Sequence, residues 1–160
     1  MEEVRRRRSG DGEVVDRRRE LGADAEERAV RHLRRRGWQI LDRNWRLRLG
    51  ELDIVGLDRE TLVFVEVKAM GRVRKVGPDR AVLAVGPGKQ DRLARLAAAW
   101  LAGPGRNPAI APCWQGVRFD VIGVEYGGSR TDPSLEHIED AFRLGGPASR
   151  NPSGQARGRR

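Results

Sequence analysis

At 160 residues the chain is long enough for one domain with a real hydrophobic core and too short for two. One cysteine, Cys113, and two histidines, His32 and His137, exclude an internal disulfide and a cysteine- or histidine-rich zinc centre, so carboxylates are left as the protein ligands for a metal. The formal charge of +9 suits a polyanionic partner, but +5 of it lies in residues 143–160 and +1 in residues 1–20, leaving +3 for the middle; a solvated, arginine-rich surface accounts for it equally well.

Residues 1–18 mix arginine, acids and glycine without apolar periodicity and read as disordered. A first helix is expected over 20–36, with Leu21, Ala25, Ala29 and Leu33 in one apolar row, Val30 widening it and Gly37 ending it. Glu26 falls on the edge of that row, either paired with an arginine such as Arg28 or Arg48 or turned toward a site. Residues 38–41 and 45–49 read as extended segments. Arg46 and Arg48 alternate with Trp45 and Leu47, as phosphate contacts or as a solvated strand edge.

Residues 50–55 and 61–68 form an antiparallel hairpin across a loop at 56–60. Residues 71–88 read as loop-rich, with a short extended piece at 81–85. A second helix begins after Pro87-Gly88 and runs to about Ala102, with Leu93, Leu96, Ala97, Trp100 and Leu101 as its stripe. Lys89 points from its first turn along that stripe. Either it snorkels, or it answers a phosphate at the helix start, where a cation alone opposes the helix dipole. Residues 118–124 are a further strand and 136–142 a closing helix, with Ile138, Ala141 and Phe142 inward. The Gly-, Pro-, Ser- and Arg-rich stretch 143–160 reads as a disordered tail. The folded unit, 19–142, is thus α/β: a small mixed sheet flanked by helices. No run approaches a membrane span, and the charged N-terminus lacks a signal-peptide pattern. A soluble, cytoplasmic protein is expected.

The chemistry concentrates on the hairpin. Asp53 lies in the apolar strand Gly50-Glu51-Leu52-Asp53-Ile54-Val55. In Phe64-Val65-Glu66-Val67-Lys68, alternation puts Phe64, Glu66 and Lys68 on one face and Val65 and Val67 on the other. Burying a carboxylate and an ammonium is costly unless they are paired or bind metal. The residues therefore fit either a structural ion-pair cluster or a divalent-metal site beside a phosphate. Arginine outnumbers lysine 29 to 3. A lysine at 68 therefore marks a position that wants a compact point charge rather than a planar fork. Asp120, His137 and Cys113 are read as structural: a strand-edge acid, a packed or capping histidine and a small core residue.

Several motifs occur together in one order: Gly22-x3-Glu26, Gly37-Trp38, Asn44, Gly50-Glu51-Leu52-Asp53-Ile54, Phe64-Val65-Glu66-Val67-Lys68, Lys89, Arg118-Phe119-Asp120-Val121 and His137-Ile138-x2-Ala141-Phe142. This pattern resembles the YraN family of small bacterial proteins with a restriction-endonuclease-like fold, across essentially all of 21–142. The broader superfamily carries the PD-(D/E)xK nuclease motif. The resemblance implies that Asp53 and Glu66 bind Mg2+ or Mn2+, that Lys68 assists the attacking water, and that Glu26 adds a carboxylate from the first helix. Asp53 lacks a preceding proline, and Met70 stands where the family leads one to expect arginine. The implied activity is hydrolysis of phosphodiester bonds in DNA rather than RNA, with branched or damaged structures as substrates. Subunit pairing to cut both strands would make a homodimer. The competing reading is a nucleic-acid-binding module or scaffold with a vestigial site.

Overall fold

Strand patterns with a β-turn between them should pair locally, and they do. The computed structural model describes residues 10–71, 85–109, 113–127 and 132–143. Helix α1 (Gly10–Arg35) leads into β1 (Gln39–Leu47), β2 (Gly50–Asp58) and β3 (Thr61–Gly71). Helix α2 (Pro87–Ala102), a 3-10 turn at Pro104–Arg106, β4 (Gly116–Tyr126) and β5 (Ser134–Ile138) follow. The strands form one sheet in the order β1-β2-β3-β4-β5. All neighbours are antiparallel except β3 and β4, which run parallel. A parallel pair needs a long crossover, and α2 lies within it.

Alternation along the strands divides the core into two layers. Ala25, Ala29, Val30 and Leu33 of α1 pack on Ile54, Val63, Val65, Ile122 and Val124. Leu93, Leu96, Ala97 and Trp100 of α2 pack on Leu52, Val55, Leu62, Phe64, Phe119 and Val121. The sheet is therefore sandwiched by helices, a mixed α/β arrangement consistent with the expected restriction-endonuclease-like class. Gly37, at φ +86, ends α1 as its sequence position predicts, since a left-handed residue after a helix favours glycine. Trp100 ties α2 to β1: its indole N–H donates to Asp42 Oδ2 at 3.0 Å.

Four expectations are corrected. First, α1 starts at Gly10, so 10–18 continues the helix rather than being disordered. Extending a helix already nucleated by packing costs little, and arginine and glutamate are good helix formers. Second, 38–41 and 45–49 belong largely to one strand, β1. It carries a bulge between Ile40 and Asp42 and a left-handed Asn44 at φ +52. Third, no closing helix forms over 136–142. Val121 pairs with Ile138 and Val124 with Leu135, so this segment is edge strand β5. The chain then turns through Asp140 at φ +50, which brings Phe142 onto Phe119 with ring centroids 5.0 Å apart. The inward residues are those expected, but they arrive by strand and turn. Fourth, Cys113 is exposed rather than in the core; it precedes β4, and its Sγ lies 3.5 Å from the Ala109 carbonyl oxygen. Residues 81–84 and 144–160, with their expected strand piece and tail, lie outside the described residues.

Asp120 is structural as read, but it is not an edge acid, because β4 lies inside the sheet. It is fully buried. Arg118 grips it through Nε at 2.8 Å and Nη2 at 3.0 Å. The Asp140 N–H donates to it at 3.0 Å, and His137 Nε2 lies 2.8 Å away. The guanidinium of Arg36, which can only donate, sits 3.0 Å from His137 Nδ1. That assigns the proton to Nε2, which donates to Asp120. His137 is thus a packed, hydrogen-bonded residue, as the sequence suggested.

Candidate active site

Strands β2 and β3 pair closely from Asp58↔Thr61 to Ile54↔Val65. The recorded ladder ends there, although β3 remains paired with β4 as far as Gly71↔Tyr126. Where it ends, Asp53 Oδ2 accepts a hydrogen bond from the Val67 N–H at 2.7 Å. A side chain thus takes a donor that a strand partner would otherwise satisfy. The same point is irregular on the other side. Asn44 lies between the Arg43↔Ile54 and Trp45↔Leu52 pairs and is left-handed. Across Asp53, Leu52 packs in the α2 layer and Ile54 in the α1 layer, so the alternation of β2 is broken there. Asn44 was named in the sequence only as a motif member. Its role as the kink opposite Asp53 was not foreseen, although asparagine tolerance of φ > 0 was the available signal.

Glu66 is 3% exposed. Its Oε1 accepts from Lys68 Nζ at 2.6 Å and pairs with Lys89 Nζ at 3.2 Å. Its Oε2 is buried with no hydrogen-bond partner. The face-sharing of Phe64, Glu66 and Lys68 therefore holds. The structure also joins Lys89 to the same carboxylate from α2, a pairing that sequence reasoning missed because it crosses from helix to sheet.

Asp53 is also buried. Burial first, and then the neighbouring charge of Glu66, push its carboxyl up to about 7; the Val67 N–H and Lys89 oppose the shift, and Glu26 adds slightly to it. Glu26 is thus close enough to be felt electrostatically, while its candidate partner Arg28 is paired with Asp24 at 2.7 Å. Among the described residues no three His, Cys, Asp or Glu side chains are gathered tightly enough to cage an ion. Glu26 is therefore near the pair and not part of a preformed three-carboxylate cluster. Arg46 is well exposed and held by Glu51 at 2.7 Å, and Arg48 is exposed on the β1–β2 turn. Neither touches Asp53 or Glu66. Met70 packs against the α2 layer.

The donor set fits a hard divalent cation. Asp53 and Glu66 offer oxygen ligands from facing strands, and Glu66 Oε2 is an orphaned buried acceptor aligned with that need. The partial neutralisation of Asp53 is what two like charges in a dry site produce, and a cation would relieve it.

A family model described as "Uncharacterised protein family UPF0102" matches residues 25–124. A UPF0102 protein of Rhodococcus jostii (strain RHA1) is 42% identical over 122 residues, covering 76% of this chain and 95% of that protein. One of Mycobacterium avium (strain 104) is 46% identical over 122 residues, covering 75% and 88%. One of Geobacter metallireducens is 41% identical over 124 residues, covering 78% and 93%. No helix among the described residues is long and apolar enough to cross a membrane.

Proposed function

We propose that this chain, which belongs to the UPF0102 family, is a nuclease that hydrolyses phosphodiester bonds in DNA with Mg2+ or Mn2+. The observation that carries the reading is Glu66, whose one oxygen holds two lysines while the other is buried and unpartnered, and whose charge is felt by Asp53 on the neighbouring strand. In this reading Asp53 and Glu66 hold the ion, with Glu26 available from α1. A bound divalent ion supplies polarisation of the phosphoryl group and a more acidic water. Lys68 Nζ orients that water and offsets charge developing on the phosphate. The water oxygen bonds to phosphorus as the water gives up a proton to solvent, the ester P–O bond breaks, and the departing oxygen takes a proton from solvent. Lys89 contributes a phosphate contact from the first turn of α2. In this reading Arg46 and Arg48, exposed at the β1–β2 hairpin, contact the DNA backbone away from the chemistry. Branched or damaged DNA is the substrate class to compare with simple duplex.

A second reading is favoured by the same ion pairs. Lys68 and Lys89 already neutralise Glu66, so the cluster is stable as a structural element in a nucleic-acid-binding module. A cleavage panel separates the two. Single-stranded, duplex, flap and four-way DNA are incubated with Mg2+, Mn2+ or chelator, using wild type and Glu66→Gln. Metal-dependent cleavage lost in Glu66→Gln supports the nuclease. Metal-independent binding without cleavage on any substrate supports the module and ends the nuclease reading.

A further inference from the structure

The two lysines on Glu66 are not equivalent. Lys68 leaves the same strand two residues on and sits 2.6 Å from Oε1. Lys89 reaches the same oxygen from α2 at 3.2 Å, and the two lysine side chains are almost equally exposed, 28% and 29%. The shorter contact is a hydrogen bond and the longer one an ion pair, so Lys89 is the looser partner.

Through its contact with Glu66 Oε1, Lys89 places a positive charge on the carboxylate that would hold the ion. A cation approaching the pair must therefore overcome Lys89 as well as Lys68. Lys89 stands at a helix start with no acidic residue in the first turn and no side-chain cap. A cation there opposes the helix dipole, so it is stabilised by the Glu66 contact or by an anion from outside, and not by its own helix.

We infer that Lys89 is a handover residue: it sits on Glu66 in the free protein and moves to a nucleic-acid phosphate on binding, releasing the carboxylate pair for a divalent cation. Phosphate and cation then bind cooperatively through one side chain. Because coupling between sites is reciprocal, metal tightens nucleic acid by the same factor that nucleic acid tightens metal. The protein would hold metal weakly until a phosphate backbone is in place. This rests on the nuclease reading for the identity of the site, but its own content is the exchange at Lys89.

The test is Mn2+ binding by calorimetry on the full chain, with and without a duplex whose phosphorothioate linkages resist cleavage. Wild type, Lys89→Gln and Lys89→Arg are compared, each checked for folding by circular dichroism. In wild type the duplex should tighten Mn2+ on the order of tenfold, within the usual range of such couplings. Lys89→Gln should bind Mn2+ more tightly than wild type without DNA and should lose most of the tightening with it. Lys89→Arg, which keeps the cation and can reach both partners, should restore the coupling. Equal coupling in wild type and Lys89→Gln overturns the handover while leaving the nuclease reading intact. So does weaker metal binding in Lys89→Gln without DNA. Absence of Mn2+ binding in every condition overturns the handover, and the cleavage panel decides separately whether the nuclease reading stands.

Discussion

Replacing Asp53 by asparagine should stabilise the metal-free protein, and by an amount that depends on pH. The carboxyl of Asp53 is raised from 3.8 to about 7 in the folded chain. The folded state therefore keeps a proton that the unfolded state releases. Stability from that proton is present in full below the unfolded value and is lost as pH rises through about 7. A gap of this size corresponds to about 4 kcal/mol in total, of which about 3 kcal/mol is lost between pH 5 and pH 8. Asparagine imitates the protonated acid. Its carbonyl oxygen can still accept from the Val67 N–H, and its amide can donate toward Glu66. Urea unfolding with chelator present measures the difference between variant and wild type at each pH, so groups that do not interact with Asp53 cancel. With m-values typical of small proteins, the variant's advantage should grow by roughly 1 to 2 M in midpoint between pH 5 and pH 8. An advantage equal at both pH values, or a variant less stable than wild type at pH 8, would show that Asp53 is not held protonated by burial and Glu66.

Two further outcomes follow from single contacts. Lys68→Arg should abolish cleavage while changing DNA affinity little, because a bulkier planar fork on Glu66 leaves less room for an ion and its water than the compact ammonium that lies 2.6 Å from it; gel-shift and single-turnover assays together check it, and full cleavage would reduce position 68 to a mere positive charge. Asp120→Ala should cost about 3–5 kcal/mol, since it strands His137 and the Asp140 N–H around a buried vacancy and leaves Arg118 to Asp58 and Glu139. Denaturant titration measures this, and a loss under about 1 kcal/mol would mean that the network relaxes onto water.

The placement of the candidate site's residues was the most legible part of the sequence, for a physical reason. Asp53, Glu66 and Lys68 are charges set into otherwise apolar strands, and alternation alone puts Glu66 and Lys68 on one face. The hairpin between them was equally plain, because apolar alternation and a turn lie close in the chain. Lys89 could be singled out but not paired, since its partner is fixed by how α2 crosses the sheet. Residues 136–142 misled because Ile138, Ala141 and Phe142 fit a helical spacing, while pairing with β4 and a left-handed Asp140 deliver the same side chains inward. The helical start at Gly10 was hidden because a helix that prolongs a packed one needs no apolar stripe of its own.

The irregular backbone of β1 bears on self-association. β1 is an edge of the sheet, and a regular edge offers its free N–H and C=O groups to any passing strand. Here the bulge between Ile40 and Asp42 and the left-handed Asn44 interrupt that row, and Arg43 and Arg46 carry charge along it, each held by an acid. An incoming strand would find no unbroken register to follow. The kink opposite Asp53 thus also guards against aggregation through this edge. Two copies that pair would have to meet through another face, rather than by joining their sheets at β1.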